Sequence, residues 1–589
     1  MSITIAFVCK REETTFQLPA WLVMIRLIDT RNKQQTGPDM TQTSAKRRAA
    51  DHLVDLLIAQ GSTHVFGVPG ESYLPVLDAL HDRLDDIEFI TCRQEGGAAM
   101  AADAHGKLTG RPGICMVTRG PGATNASAGL HVAFQDSTPM ILFIGQVARD
   151  MTEREAFQEL DYRRMFGQVA KWVAEIDDPT RIQEFVSRAY RTALSGRPGP
   201  VVLTLPEDML YDDVVVPNPP RRVTTPRFQP SPDAMEDLRT RLAAAKKPMI
   251  MAGGGGWSAT GIAALQTFAE RQDLPVTVSL RAQDVIDNDH PNYVGHFSVG
   301  PTPYLKEALA ETDLLLAFGP RLGEMTTQGY SWLTPPVPAQ GLIHVFPQAE
   351  ELGRVYEPTL ALVSDLESFC CAVANWEPIA NDRFSTRTKT LRAAFENYIS
   401  PAAIPDDPLA PMFAHLANTL PADAILCNGA GNYAAWLHRF YKYRSAGSQL
   451  APTSGSMGYG LPAAVAAAAT EPEREVYAIA GDGCFMMSCQ ELATAAHHNL
   501  RLTVIVVNNA RYGTIRAHQE REFPGRVSGT DMINPDFCNF ARSFGAHAER
   551  VETLEGFKAA LSAARARGGI SLIEVTQDPL LIAPGKWLT

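Results

Sequence analysis

Short apolar runs alternate with longer stretches of helical periodicity along most of the chain. In a first block such runs fall at residues 63–66, 114–118, 140–145 and 201–205; in a second at 248–251, 276–279, 314–318 and 342–345; in a third at 424–427, 475–480, 502–507 and 571–575. Apolar strands alternating with amphipathic helices build parallel sheets covered by helices on both faces. The fold class expected is therefore α/β, with three doubly wound parallel-sheet domains. First and third blocks could share a topology, although no short-period repeat is visible.

Proline clusters mark the breaks between blocks. The first holds Pro217, Pro219, Pro220, Pro226 and Pro230, the second Pro401, Pro405, Pro408 and Pro411. Domains are expected at 40–216, 232–375 and 410–581, and 589 residues are too many for a single core. Residues 1–39 read as an N-terminal extension. They carry scattered charges (Lys10, Arg11, Glu12, Glu13), no signal-peptide core and no cleavage site, and they lead into Met40. Met40 is expected to be the true start, a disordered tail being the alternative.

Composition narrows the partners. Hydrophobic residues make up 45% and charged residues 20%, the profile of a globular protein. A formal net charge of −12 argues against nucleic acid or an anionic membrane surface as partner. No run of about 20 apolar residues is present, so no membrane span is expected. The nine cysteines form no C-x-x-C pair and include the adjacent Cys370 and Cys371, which suggests reduced thiols in the cytoplasm.

The most informative stretch begins at Val476. An apolar strand runs into Gly481-Asp482-Gly483, a helical segment spans 490–498, and a second apolar strand at 502–507 ends in Asn508-Asn509. A strand–helix–strand crossover makes the two strands parallel, so Asp482 and Asn509 fall at carboxyl ends of strands, where open α/β sheets bind ligands. A carboxylate and an amide oxygen are hard donors suited to Mg²⁺, which shares its shell with phosphate oxygens. Gly481 and Gly483 make a tight turn, and Gly483 allows a phosphate close to the backbone. Alone, Gly-Asp-Gly would be an ordinary turn; followed by a strand ending in two asparagines, it is a site.

This interval resembles the cofactor motif of thiamine diphosphate (ThDP) enzymes, and the chain from about 45 to 581 is similar to acetolactate synthase large subunits. The resemblance implies pyrimidine-binding, central and diphosphate-binding domains in that order. It implies Mg²⁺ held by Asp482, Asn509 and the Arg511 carbonyl, with ThDP contacts from Gly431, Asn432, Gly455, Met457, Gly481, Asp482, Gly483, Cys484, Asn509 and Gly513. Further matches occur in order: Phe66-Gly67-Val68-Pro69-Gly70, Thr91-Cys92-Arg93-Gln94-Glu95-Gly96-Gly97, Gly120-Pro121-Gly122-Ala123-Thr124-Asn125, Ala156-Phe157-Gln158-Glu159 and Gly196-Arg197-Pro198-Gly199-Pro200. Glu95 is implied as the carboxyl that drives the aminopyrimidine proton relay. Phe157 and Gln158 are implied on the substrate side. Met457, in Ser454-Gly455-Ser456-Met457-Gly458, is implied as the apolar prop that bends the cofactor. Glu95 and Asp482 lie in different domains, and the family joins them across two subunits, so a homodimer or homotetramer is implied.

The substrate-facing positions depart from the family. Acetolactate synthases carry Gln-Gly-Met-Val and then Trp in the stretch where this chain reads Ala510-Arg511-Tyr512-Gly513-Thr514-Ile515-Arg516-Ala517-His518, with His518 in place of the Trp; their Leu-Pro-Lys-Asp appears as Leu205-Pro206-Glu207-Asp208. A missing aromatic and an inverted charge would alter pocket shape and the preference for an anionic second substrate. In the central block Gly253-Gly254-Gly255-Gly256 and Gly319-Pro320-Arg321 match the family's flavin domain, but His344-Val345-Phe346-Pro347 lacks its acidic residues, which leaves FAD open. The activity expected is decarboxylation and carboligation of small-molecule 2-oxo acids. The alternatives are a decarboxylase, an acyloin lyase or a C–C hydrolase using the same cofactor, and, from another class, a silent ThDP-fold regulatory protein. A nicotinamide-binding Rossmann enzyme is disfavoured, because no full G-x-G-x-x-G opens a helix.

Overall fold

The computed structural model describes residues 46–588 apart from 217–218, 298, 301 and 380–383, so the extension expected over 1–39 lies outside the described residues. Three six-stranded sheets, parallel throughout, form the frame. The N-terminal sheet contains, in chain order, His64–Gly67, Glu88–Thr91, Gly113–Val117, Met140–Gln146, Trp172–Glu175 and Pro200–Pro206. Across the sheet they lie in the order 2-1-3-4-6-5. The C-terminal sheet contains Ile425–Asn428, Gln449–Leu450, Val476–Gly481, Leu502–Asn508, His547–Val551 and Ile570–Thr576, in the same order. First and third domains thus share one topology.

The central sheet differs. Its strands Pro248–Ala252, Val276–Val278, Tyr293–His296, Leu314–Phe318, Gly341–Phe346 and Leu360–Val363 lie 3-2-1-4-5-6. Both orders reverse direction beside the first strand, and such a reversal opens a crevice at the carboxyl ends. In the C-terminal domain that crevice falls between Ile425–Asn428 and Val476–Gly481, which run straight into Gly429 and Asp482.

N- and C-terminal domains share one apolar core. Two small-residue helices make this contact, Glu95–Thr109 and Gly460–Thr470. Nearly every residue from Gly96 to Gly106 is buried, as is Gly460 to Ala468; glycine and alanine let the two backbones approach closely. Buried charges pin the seam. Lys107 pairs with Asp103 at 2.9 Å and with Asp136, and Tyr459 donates to Asp103 at 2.7 Å. The Thr91 N–H donates to His498 Nε2 at 3.0 Å from the opposite domain. Among the described residues, no helix is long and apolar enough to cross a membrane.

Candidate active site

Asp482 is the first residue of a short helix, Asp482–Met486, that starts as soon as its strand ends. The second helix of the crossover is Glu491–His497. Asp482 is only 2% exposed. Asn534 Nδ2 donates to Asp482 Oδ2 at 2.7 Å and lies 3.0 Å from Asn508 Oδ1, so one amide ties the tips of two adjacent strands. Burial raises the Asp482 carboxyl above its ordinary pKa, opposed by the Asn534 amide and by backbone N–H groups of Gly483 and Ala510.

The other expected metal donors lie on the turn after the neighbouring strand. Ala510 takes a left-handed φ of 53° and turns the chain back. Asn509 Oδ1 accepts the Arg511 N–H at 3.2 Å, and the Arg511 carbonyl accepts the Gly513 N–H at 2.9 Å. Among the described residues no group of three or more His, Cys, Asp or Glu side chains is placed to hold a metal. One carboxylate, one amide oxygen and one peptide carbonyl remain, a set of hard oxygens that fits Mg²⁺ whose charge is completed by a diphosphate.

Three loops gather around this point. Gly429 N donates to Tyr433 Oη at 3.0 Å, Tyr433 Oη stands 3.3 Å from Cys484 Sγ, and Gly458 N donates to that sulfur at 3.2 Å. Cys484 is buried, and its sulfur joins the glycine loops at Gly429 and Gly458 to the helix at Asp482. A Cβ on Gly429 would come within 2.6 Å of the sulfur, which is why the position has none. Asn432 Oδ1 accepts the Thr514 hydroxyl at 2.7 Å, bringing the Gly431–Asn432 loop to Gly513. Gly455 is exposed with φ 70°, and Met457 is half-buried against the shared core. Gly483 carries a tighter constraint than expected: a Cβ there would stand 2.7 Å from the Tyr512 ring.

The N-terminal domain holds a second cluster. Gln94 caps the helix that Glu95 opens, accepting the Gly97 N–H at 3.0 Å. Asn125 Nδ2 donates to Glu95 Oε2 at 2.9 Å, and Gly122 leaves room for Oε1, which would be 3.4 Å from a Cβ there. On the same loop a Cβ at Gly120 would meet the Gln158 Cβ at 2.7 Å, and Gln158 itself has φ 66°. Phe157 is 75% exposed. Arg119 holds this segment, donating from Nε to the Phe157 carbonyl at 3.1 Å and pairing with Glu207 at 2.6 Å.

Several participants lie outside the motifs. Asn534 is one. Glu491 is another: 1% exposed, it accepts the Arg93 N–H at 3.2 Å and the Thr494 hydroxyl at 2.6 Å beside the start of the Glu95 helix, and burial raises its pKa. Both are single polar residues with no pattern around them. The structure sets Glu95 and Gln158 against the same loop, Gly120–Asn125, and Asp482 beside the turn that follows Asn509 and the glycine loops. Glu95 takes its hydrogen bond from Asn125 of its own domain, and the donors to Asp482 all belong to the C-terminal domain.

A pair of domains of one topology, each presenting a carboxylate beside glycine loops, is the arrangement of a class of enzymes that bind a diphosphate cofactor. Comparison with known families agrees: residues 47–165 match the thiamine pyrophosphate enzyme N-terminal TPP binding domain, 235–373 its central domain and 429–575 its C-terminal TPP binding domain. The chain belongs to the thiamine pyrophosphate enzyme family. It is 32% identical over 548 residues to the acetolactate synthase isozyme 2 large subunit of Escherichia coli (strain K12), covering 91% of this chain and 97% of that protein. It is 33% identical over 538 residues to the acetolactate synthase large subunit of Corynebacterium glutamicum, covering 88% and 83%, and 32% identical over 537 residues to that of Parasynechococcus marenigrum, covering 89% and 86%.

Proposed function

We propose that this chain is an acetolactate synthase-like enzyme that releases carbon dioxide from a 2-oxo acid and joins the remaining acyl unit to a second carbonyl. The observation that carries the reading is the buried Asp482 at the crevice of one domain, with a second carboxylate, Glu95, at the matching end of a domain of the same topology. ThDP, when bound, supplies the nucleophilic carbon and electron sink that 2-oxo acid cleavage needs. Asp482, Asn509 and the Arg511 carbonyl would hold Mg²⁺, and Gly431, Asn432 and Gly513 lie where the diphosphate would rest. Met457 would support the heterocycle. Glu95 holds the relay proton, with Asn125 donating to Oε2 and leaving Oε1 for the cofactor. Phe157 and Gln158 face the substrate. Because the partners of each carboxylate lie within its own domain, the complete site is read as joining Glu95 of one subunit to Asp482 of another, in a homodimer or homotetramer, and the enzyme is placed in the cytoplasm.

The central domain fits FAD poorly. Its loops close on each other, since a Cβ on Gly254 would stand 2.1 Å from the Gly319 carbonyl oxygen. The tip of the second strand offers Ser279 and Arg281 where a carboxylate would hold a ribose, Phe346 is buried at the tip of the fifth, and Arg321 is engaged by Glu351 at 3.1 Å. No step is assigned to a flavin, and the purified protein is expected to be colourless; visible flavin absorption released on denaturation would reverse this.

A second reading concerns the acceptor. Arg119 is neutralised by Glu207, and the loop 149–161 beside Phe157 carries Asp150, Glu153, Glu155, Glu159 and Asp161 against Arg149 and Arg154. This favours an uncharged acceptor such as an aldehyde, or simple decarboxylation ending in protonation, over a second carboxylate. Incubation with ThDP, Mg²⁺ and a 2-oxo acid panel, with and without aldehydes, separates the two by counting carbon dioxide against carboligation products. Glu95→Gln should bind ThDP yet slow carbon dioxide release by at least about a hundredfold. Turnover at the wild-type rate would remove Glu95 from the mechanism.

A further inference from the structure

Arg281 stands three residues beyond Val276–Val278, the second strand of the central sheet, and is one of the few non-glycine residues with a left-handed backbone, φ 56°. A long side chain pays for that conformation only where its destination is fixed. The destination lies outside its own domain. Nη2 donates to the Gly429 carbonyl at 3.1 Å and Nη1 to the Pro452 carbonyl. Gly429 is the first residue of the matched C-terminal TPP binding domain, and Pro452 O also accepts the Gly455 N–H at 3.1 Å. One guanidinium therefore grips both glycine loops, the one leading to Gly431 and Asn432 and the one leading to Gly455 and Met457.

Among the described residues no carboxylate touches this guanidinium: both acceptors are neutral carbonyls, and Nε is buried without a partner. Asp136 acts on Arg281 through charge alone, and its oxygens are already engaged: Oδ1 accepts the Thr453 N–H and hydroxyl, and Oδ2 pairs with Lys107. Burying a cation against carbonyls alone is unfavourable, and burial lowers the pKa of this guanidinium. An anion arriving at the loops would relieve that cost.

We propose that Arg281 is a positioning residue for ThDP, by which the central domain sets the two cofactor loops and supplies the positive charge that favours a diphosphate over a less charged ester. Because its hydrogen bonds go to carbonyls, Arg281 acts on the cofactor through the loops and through the field, and it is not a catalytic residue. The inference rests on the reading that ThDP occupies these loops.

Calorimetric titration of the Mg²⁺-loaded full chain with ThDP and with thiamine monophosphate tests it in wild type, Arg281→Gln and Arg281→Lys. Gln keeps a donor without charge and should lose at least about tenfold in ThDP affinity, the worth of a charged hydrogen bond, with much less change for the monophosphate. Lys keeps the charge without the fork and should retain the preference for the diphosphate at reduced affinity. Arg281→Gln binding ThDP like wild type, or losing both ligands equally, overturns the proposal. If the Gln variant does not fold, the Lys variant decides: loss of the diphosphate preference with the charge retained also overturns it. Wild type failing to bind ThDP at all would count against the cofactor site itself, a result distinct from either.

Discussion

Asn534 donates to the Asp482 carboxylate from a loop that no motif covers, and its amide also reaches Asn508 at 3.0 Å. If Asp482 is the metal ligand proposed, its carboxylate needs its orientation fixed beforehand, because reorganising it on binding would be subtracted from affinity. Asn534→Ala should therefore weaken Mg²⁺-dependent ThDP binding by roughly tenfold to a hundredfold, the usual cost of removing an outer partner of a metal ligand. Calorimetry at several Mg²⁺ concentrations measures it, and an unchanged affinity would show that Asp482 is held without Asn534. The places of Asp482 and Asn509 were legible in the sequence because each directly follows an apolar strand, and punctuation of that kind is visible without a structure. Asn534, Glu491 and Arg281 were not, since each reaches its partner across the fold and carries no local pattern.

Elements show the same division. The four apolar runs of each block are the four inner strands of each sheet, covered on both faces and mostly apolar. The strands that went unread are the two edges of each sheet: Glu88–Thr91 and Trp172–Glu175, Tyr293–His296 and Leu360–Val363, Gln449–Leu450 and His547–Val551. An edge is half-exposed, short or polar, so its pattern is weak. Gln449–Leu450 is only two residues long, and side chains from the central domain fix it. Asp284 accepts the N–H groups of Ser448 and Gln449, both at 3.2 Å, and the Gln449 side chain accepts the Gln283 N–H at 2.8 Å. Burial raises the Asp284 pKa from 3.8 to about 6, outweighing the backbone donors that lower it. The folded protein thus holds this proton more tightly than the unfolded chain. Between the two values the native state binds more protons, so this group stabilises the fold as pH falls through about 6 and costs stability above it. Thermal midpoints of wild type and Asp284→Asn should converge or cross as pH is lowered from neutral, with the wild type gaining on the variant. A difference independent of pH would mean that Asp284 does not titrate in the folded state.

At the scale of the molecule, the question is how a carboxylate in the first domain meets a cofactor held by the third. Within one chain the two domains are already joined through the Glu95–Thr109 and Gly460–Thr470 helices and the Lys107 cluster. That contact occupies the alanine-rich faces and leaves Glu95 bonded to Asn125 and Asp482 bonded to Asn534. Two copies related by a twofold axis would make two equal sites, each drawing one carboxylate from either chain. Such an arrangement has a distinctive genetic signature. Glu95→Gln and Asp482→Ala chains should each be inactive alone. When they are unfolded together and refolded as a mixture, a mixed dimer carries one site with both lesions and one with neither. Random pairing then restores up to about a quarter of the wild-type sites. If Glu95 and Asp482 of a single chain formed the site, every site in the mixture would carry one lesion and no activity would return. Light scattering on the same samples verifies that the refolded species are oligomers, so an inactive mixture of well-formed dimers would refute the shared site rather than reflect failed assembly.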